Sequence, residues 1–192
     1  MHRAEEEERR PILTVEEALE HILSTVRVLE PQRVTLLAAA RRVLAETVVA
    51  DRDIPPTANS AMDGFAVRWE DIRTAPAQLR VVGQVAAGHV PERSVGPGEA
   101  LRIMTGAPLP HGADTVVRFE DARLLTDRVE VLQAPQLGAN VRAAGEDVQA
   151  GQVVLEPGKV LRPQEIGMLA AVGRTEVSIV RPPRVAILAT GD

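Results

Sequence analysis

Residues 53–71, DIPPTANSAMDGFAVRWED, decide how the chain is divided. The two prolines of DIPP interrupt the helical periodicity that precedes them, which indicates a domain boundary. After them, Asp63 stands between Met62 and Gly64, with Phe65 two positions later. A solvated loop does not need Met62 and Phe65, and a core strand does not tolerate an acid. The stretch therefore predicts a loop that holds one carboxylate at the edge of an apolar cluster, where partial desolvation raises its pKa.

The segment before the boundary is predicted to be helical. Thr14 is followed by Glu17 three positions later, which is the pattern of a capping box. Apolar residues then recur at helical spacing over residues 15–26, and Pro31 ends the helix. A second short helix is predicted over residues 35–46, TLLAAARRVLAE, because its apolar residues also share one face.

The segment after the boundary changes period. Over residues 53–143, short runs with a period close to two alternate with Gly, Pro and Asp, which is typical of a β-sandwich or small barrel. Residues 162–173 return to a helical pattern that Pro163 opens and Gly173 closes. The final run, RVAILATGD, is typical of a buried parallel strand, and such a strand needs crossover partners.

These patterns predict an α+β fold in which one domain interrupts another. An elongated helical or mixed domain is expected from residues 11–52 and 144–182, with a β-rich, barrel- or sandwich-like insertion domain over residues 53–143. Residues 1–10 are expected to form a disordered tail. Residues 183–192 are expected to be the first strand of a third, α/β domain, just inside which the sequence stops.

Composition excludes several classes of protein. The 192 residues are 45% hydrophobic but only 2% aromatic, so the core must be aliphatic. Without cysteine there is no disulfide, no thiolate metal site and no cysteine nucleophile. A net charge of −5 gives no reason to expect nucleic-acid binding. The charged N-terminus is no signal peptide, and no apolar run reaches membrane-spanning length, so we expect a cytoplasmic protein with no membrane partner.

Three polar clusters are candidates for chemistry, and each also reads as an ordinary turn. Asp63 follows Asn59 and Ser60, residue types that hydrogen-bond the backbone locally in turns. In MTGAPLPHGADTVV, Thr105 and Gly106 end a strand in a loop that can present N–H groups and a hydroxyl to an anion. In RAAGEDVQAG, Asp147 lies at a predicted turn between strands. The four histidines lack metal-ligand spacing, and no Ser–His–Asp set is apparent.

Together, four blocks resemble one family. DIPPTANSAMDGFAVR, RIMTGAPLPHGADTVVRFED, GANVRAAGEDVQAG and PRVAILATGD stand in the order and spacing of the molybdopterin molybdenumtransferases, the MoeA proteins, to which the gephyrin E domain is related. The resemblance runs from about residue 11 to the last residue. It covers the first two domains of a four-domain subunit.

The resemblance implies an activity and its partners. Members insert molybdate into the dithiolene of adenylylated molybdopterin, release AMP and require Mg²⁺. A homodimer is implied, with molybdopterin adenylyltransferase and recipient molybdoenzymes as further partners. Since the later domains are absent from this sequence, the chain alone is expected to be inactive. The alternative is a non-catalytic dimerisation or scaffold module of the gephyrin E-domain type.

The resemblance also implies site residues. Asp63, Thr105 and Asp147 match catalytic positions, and a second set matches positions that bind the cofactor: Ser60, Met62, Gly64 and Gly106. Asp63 or Asp147 is a possible Mg²⁺ ligand. A second role for Asp63 is proton donation as an oxygen of molybdate leaves as water, and the flanking Met62 and Phe65 favour that role.

The chain departs from the family pattern at several positions. Thr57 and Ala58 replace an aromatic residue and an acid that often precede NSAMDG, which alters the expected rim of the cleft. Arg41 stands where relatives often have glycine, and Ala139 where a polar residue is usual. These last two changes are expected to affect packing only.

Overall fold

The computed structural model describes residues 13–189 and contains three α-helices. Single 3₁₀ turns follow two strands, at Trp69–Asp71 and Phe119–Asp121. The α-helices are α1 (Val15–Thr25), α2 (Leu36–Ala39) and α3 (Pro163–Ala171). The predicted tail over residues 1–10 lies outside the described residues.

Twelve short strands make up the rest of the regular structure. They are β1 (Pro31–Thr35), β2 (Val48–Val49), β3 (Asn59–Ser60), β4 (Gly64–Val67), β5 (Ala77–Val85), β6 (Glu99–Ile103), β7 (Thr115–Arg118), β8 (Ala122–Leu124), β9 (Arg128–Val131), β10 (Val141–Arg142), β11 (Val153–Leu155) and β12 (Glu176–Val180). The expectation of a mixed α and β fold is confirmed.

Helix α1 begins with the predicted capping box. The Thr14 hydroxyl accepts from Glu17 N at 3.2 Å, and the Glu17 carboxylate accepts from Thr14 N at 2.8 Å, so two backbone N–H groups that the helix leaves unpaired are satisfied. No residue of α1 is buried. Its apolar stripe is exposed instead, with Ile22 and Leu23 each 60% accessible. No described residue covers this face.

The prediction of a second helix is wrong over most of its length. Residues 35–46 were expected to be helical, but α2 ends at Ala39 and the chain then turns. Arg41 lies in the left-handed region with a φ of 63°, which is incompatible with a continuing right-handed helix. Arg41 N donates to Leu161 O, and Leu44 N donates to Lys159 O, so contacts with the distant segment override the local helical periodicity.

The two outer segments share one apolar core. It brings Leu44 and Val48 from the first segment against Leu161, Leu169 and Ile179 from the last. Backbone pairing joins the same segments, because β1 pairs antiparallel with β12 and β2 pairs antiparallel with β11.

The intervening segment forms a six-stranded sheet with the order β7-β4-β6-β5-β9-β8. All neighbours are antiparallel except β5 and β6. Alternate residues of β4 belong to different apolar clusters: Phe65 and Val67 lie in one, and Ala66 lies in the other. The sheet is therefore packed on both faces, and the loops at the ends of β4 and β6 are anchored by buried strands.

The last described segment has no regular structure. Residues 181–189 are exposed and form no helix or strand, and residues 190–192 lie outside the described part. The assignment of residues 183–192 to the first strand of a further domain stays a prediction. Within residues 13–189, no helix is long and apolar enough to cross a membrane.

Candidate functional site

The turn that carries Asp63 is shaped by its two neighbours, Ser60 and Gly64. Ser60 is 1% exposed, and among the described residues its hydroxyl bonds only to the backbone of Met62. At Gly64, a Cβ atom would lie 1.9 Å from the carbonyl oxygen of Val117 on the adjacent β7. Only glycine allows this approach of the two strands, so the turn that presents Asp63 requires it. The cofactor-binding roles of Ser60, Met62 and Gly64 stay predictions.

The loop after β6 is tied to this turn through the backbone. Gly106 N donates to Ser60 O at 2.8 Å, and Ser60 N donates to Ala107 O at 3.0 Å. Gly106 has a φ of 80°, which favours glycine. These bonds fix Thr105 beside the turn that carries Asp63.

Asp63 and Thr105 are in direct contact. The backbone N–H and the hydroxyl of Thr105 both donate to Asp63 Oδ1, at 2.7 and 2.8 Å. These donors, helped by the positive charge of Arg102, hold the pKa of the Asp63 carboxyl below its ordinary value. The fold therefore brings Asp63 and Thr105 together, and their catalytic roles stay predictions.

The predicted rise in the pKa of Asp63 is wrong, because the hydrogen bonds from Thr105 outweigh the effect of desolvation. Phe65 is 2% exposed and faces the core, Met62 is 37% exposed, and Asp63 itself is exposed. The apolar flanks therefore leave the carboxylate in solvent, where two donors favour its ionised form. The pKa of Asp63 is lowered and not raised, which removes the basis for its role as a proton donor near neutral pH.

Asp147 does not join this contact within the described residues. Its carboxylate pairs with Arg142 at 2.6 Å, and its backbone N–H donates to Ile54 O at 2.9 Å. Arg142 also reaches Glu146, and both acids raise the pKa of the guanidinium. Because β10 pairs with β3, Arg142 lies opposite Asn59, which places this ion-paired turn next to the strand that leads to Asp63.

Asp63 is the one predicted Mg²⁺ ligand at this contact between the two loops. Mg²⁺ prefers carboxylate oxygens and keeps several waters, so one or two carboxylates are enough. Asp63 is ionised, and no hydrogen bond within residues 13–189 ends on its Oδ2. No group of three or more His, Asp or Glu side chains in that range is arranged to hold a metal ion. Asp63 therefore offers one carboxylate oxygen, Oδ2, and the binding of Mg²⁺ there stays a prediction.

Sequence reasoning missed two arginines. Arg142 forms an ion pair with Asp147, and the positive charge of Arg102 helps to lower the pKa of the Asp63 carboxyl. Both lie in the motif blocks that carry the resemblance. The spacing of Arg142 and Asp147, five positions apart across a turn, was the available signal for the first. No sequence signal pointed to Arg102, because its proximity to Asp63 depends on the pairing of β4 with β6.

The fold and this pair of joined loops define an α+β module with three apolar clusters and a carboxylate-bearing turn. A family model described as the MoeA N-terminal region (domain I and II) matches residues 13–173. The chain belongs to the MoeA family.

Individual relatives agree with this assignment. A molybdopterin molybdenumtransferase from Staphylococcus aureus is 39% identical over 190 residues, covering 97% of this chain and 45% of the relative. One from Nostoc sp. is 40% identical over 190 residues, covering 95% and 44%. A crystal structure of a molybdopterin biosynthesis moeA protein from Pyrococcus horikoshii OT3 matches with a TM-score of 0.82 and 38% identity, over 86% of this chain and 45% of that one. The chain thus spans less than half the length of these relatives.

Proposed function

We propose that the complete protein containing this chain acts in molybdenum cofactor biosynthesis, inserting molybdate into adenylylated molybdopterin with release of AMP. The observation that carries the proposal is the contact between Asp63 and Thr105, because it joins two family motifs at one exposed, ionised carboxylate. The relatives named molybdopterin molybdenumtransferase support the reaction class. In this proposal the chain supplies one side of the reaction cleft, and later domains supply the other.

Electrostatics limits what Asp63 does there. Molybdate is a dianion, and at about 4 Å and an effective dielectric of about 20 each unit charge on it is repelled by a carboxylate by about 4 kcal/mol. Asp63 therefore does not bind molybdate directly. An ionised carboxylate that already accepts two hydrogen bonds is suited to hold Mg²⁺, either directly or through water. When bound, Mg²⁺ neutralises negative charge on the substrate oxygens.

The hydroxyl of Thr105 has a restricted role. A threonine hydroxyl has one proton to donate, and Thr105 donates it to Asp63. While that bond lasts, Thr105 Oγ1 can only accept, for example from water bound to the metal. The sequence-based idea that this hydroxyl donates to the oxyanion is therefore replaced by a positioning role, in which Thr105 fixes the Asp63 carboxylate.

Two preparations test the proposal. The 192-residue chain and the complete polypeptide that contains it are each supplied with adenylylated molybdopterin, molybdate and Mg²⁺, and AMP release and molybdenum incorporation are measured. The complete polypeptide should turn over and the 192-residue chain should not. Failure of the complete polypeptide to incorporate molybdenum would refute the proposed reaction, and turnover by the 192-residue chain would refute the need for further domains.

A further inference from the structure

The side chain of Arg102, the fourth of the five residues of β6, forms no hydrogen bond or ion pair within residues 13–189. It is half-buried, and its Nε is buried without any hydrogen-bond acceptor in that range. None of the ion pairs formed by the described residues includes it. Buried polar groups are normally hydrogen-bonded and buried charges are normally paired. The Nε atom of Arg102 departs from the first rule, and its position close to the candidate site points to a ligand.

Aromatic rings hold Arg102 in place without satisfying its donors. The guanidinium carbon lies 5.0 Å from the centroid of the Phe119 ring. Phe119 in turn packs edge-to-face on Phe65, with ring centroids 5.3 Å apart. A ring face attracts a cation but offers no lone pair to the five N–H donors of arginine. The rings therefore orient the guanidinium and leave its donors to another group.

Two open depressions adjoin the guanidinium. One of about 170 Å³ is lined by Arg102 together with Phe65, Phe119 and Leu124. The other, of about 560 Å³, is lined by Arg102 together with Gln84 and Asp127. The smaller depression thus combines one cation with apolar side chains, and the larger one also has polar side chains in its lining.

Neither depression is lined by Asp63 or Thr105, but the pairing of β4 with β6 brings Arg102 close to the turn that carries Asp63. Phe65 on β4 is the register partner of Arg102, and Asp63 comes directly before that strand. The charge of Arg102 also contributes to the lowered pKa of Asp63. A group bound at Arg102 would therefore lie at the same end of the sheet as the candidate reaction centre.

We propose that Arg102 binds a tetrahedral oxyanion in the depression formed with Phe65, Phe119 and Leu124. The planar guanidinium presents paired N–H donors that match two oxygens of such an anion. The anion has two possible sources, free molybdate and a phosphate group of adenylylated molybdopterin. In naming these sources, the inference rests on the proposed function. Asp127 lines the larger depression that Arg102 also adjoins, so its negative charge opposes the binding of an anion nearby.

Direct titration of the 192-residue chain tests the inference. Uniformly ¹⁵N-labelled protein is titrated at constant ionic strength with inorganic pyrophosphate and, separately, with sodium molybdate. The backbone signals of Asp63, Gln84 and Thr105 and the Nε–H signal of Arg102 are followed. Arg102→Met should weaken binding about tenfold or more, since it removes a bidentate, charge-assisted contact. Asp127→Asn should tighten binding about threefold, because it removes a like charge.

Two further variants complete the set. Arg128→Met removes an exposed arginine from β9 of the same sheet, and its affinity should match that of the wild type. Arg102→Lys keeps the charge but loses the fork, and it should weaken binding about threefold. If Arg102→Met does not fold, the Arg102→Lys variant alone tests the contact between the guanidinium and the anion.

The outcomes separate the sources and the proposals. Tighter binding of pyrophosphate assigns the site to the phosphate of the organic substrate, and tighter binding of molybdate assigns it to the inorganic one. Absence of saturable shifts, or equal affinities in the wild type and both Arg102 variants, would overturn the inference. Because anion binding is measured without turnover, it can persist even if the proposed molybdenum insertion fails.

Discussion

Asp63 and Thr105, 42 positions apart, are joined by two hydrogen bonds that end on the same carboxylate oxygen. One donor is a backbone N–H, which every substitution except proline keeps. The other is the hydroxyl, which substitution does remove. The contact can therefore be weakened in a controlled way while the loop keeps its backbone bonds to Ser60.

Removal of the Thr105 hydroxyl should raise the pKa of Asp63. We expect Thr105→Val to move it towards the ordinary value of 3.8, and Thr105→Ser to leave it low because serine keeps the donor. The folded-state pKa is the lower one, so ionised Asp63 stabilises the fold above the unfolded pKa, and this contribution disappears as pH falls through the folded value. Carboxyl NMR titration measures the shift. An identical pKa in the valine and serine variants would show that the hydroxyl does not hold the carboxylate.

Gly64 should be irreplaceable. Gly64→Ala brings a Cβ against the Val117 carbonyl, so β4 and β7 must separate, and we expect a loss in the free energy of unfolding of about 3 kcal/mol or more. Gly167→Ala is the matched control, because Gly167 lies in α3 with nothing near its Cβ position. At that position, alanine should raise the free energy of unfolding by about 0.5–1 kcal/mol. Urea unfolding measures both, and equal effects would contradict the close approach of the two strands.

Arg41 should be a site of easy stabilisation. With a φ of 63°, a residue that has a Cβ atom is strained by about 1–2 kcal/mol, and glycine is not. Glycine is also more flexible in the unfolded chain, which offsets about 0.5–1 kcal/mol of that gain. Arg41→Gly should therefore raise the free energy of unfolding by about 0.5–1 kcal/mol. Arg42→Gly, at a position without a positive φ, should lower it by about as much. The reverse order in thermal melts would refute the left-handed assignment.

The exposed stripe of α1 is a candidate dimer surface, as the family resemblance implies. Ile22 and Leu23 are each 60% exposed, and an apolar face of this kind is stabilised by burial against a partner. If the chain forms a homodimer through it, Ile22→Glu should shift the molecule to a monomer in sedimentation equilibrium. His21→Glu places the same charge off the stripe and should leave the oligomeric state unchanged. A dimer of equal affinity in both variants would place the interface elsewhere.

Much of the fold could be predicted from the sequence, because local signals and tertiary contacts agree there. The capping box at Thr14, the Pro163 start of α3 and the period-two strands each formed as expected. The prediction of the second helix was wrong, because backbone hydrogen bonds to Leu161 and Lys159 turn the chain near Arg41. No local sequence pattern indicates those distant partners. Tertiary context overrode helix propensity there.

The candidate site was predictable only in outline. The motifs identified Asp63 and Thr105, but the effect of Met62 and Phe65 was misjudged because sequence does not show which way a flanking side chain points. Phe65 faces the core, while Asp63, two positions away at the end of the same strand, remains in solvent. The part played by Arg102 depends on the register of β6 with β4, which sequence pattern alone does not fix.

The most direct test of the account measures substrate binding and molybdenum insertion separately in the complete polypeptide. Asp63→Asn keeps the size of the side chain and removes its charge, so insertion should fall by about 100-fold or more while adenylylated molybdopterin still binds within about threefold of the wild type. Asp51→Asn, a change at an exposed aspartate paired with Arg52, should leave both unchanged. An unchanged insertion rate in Asp63→Asn would remove Asp63 from the reaction and contradict the account.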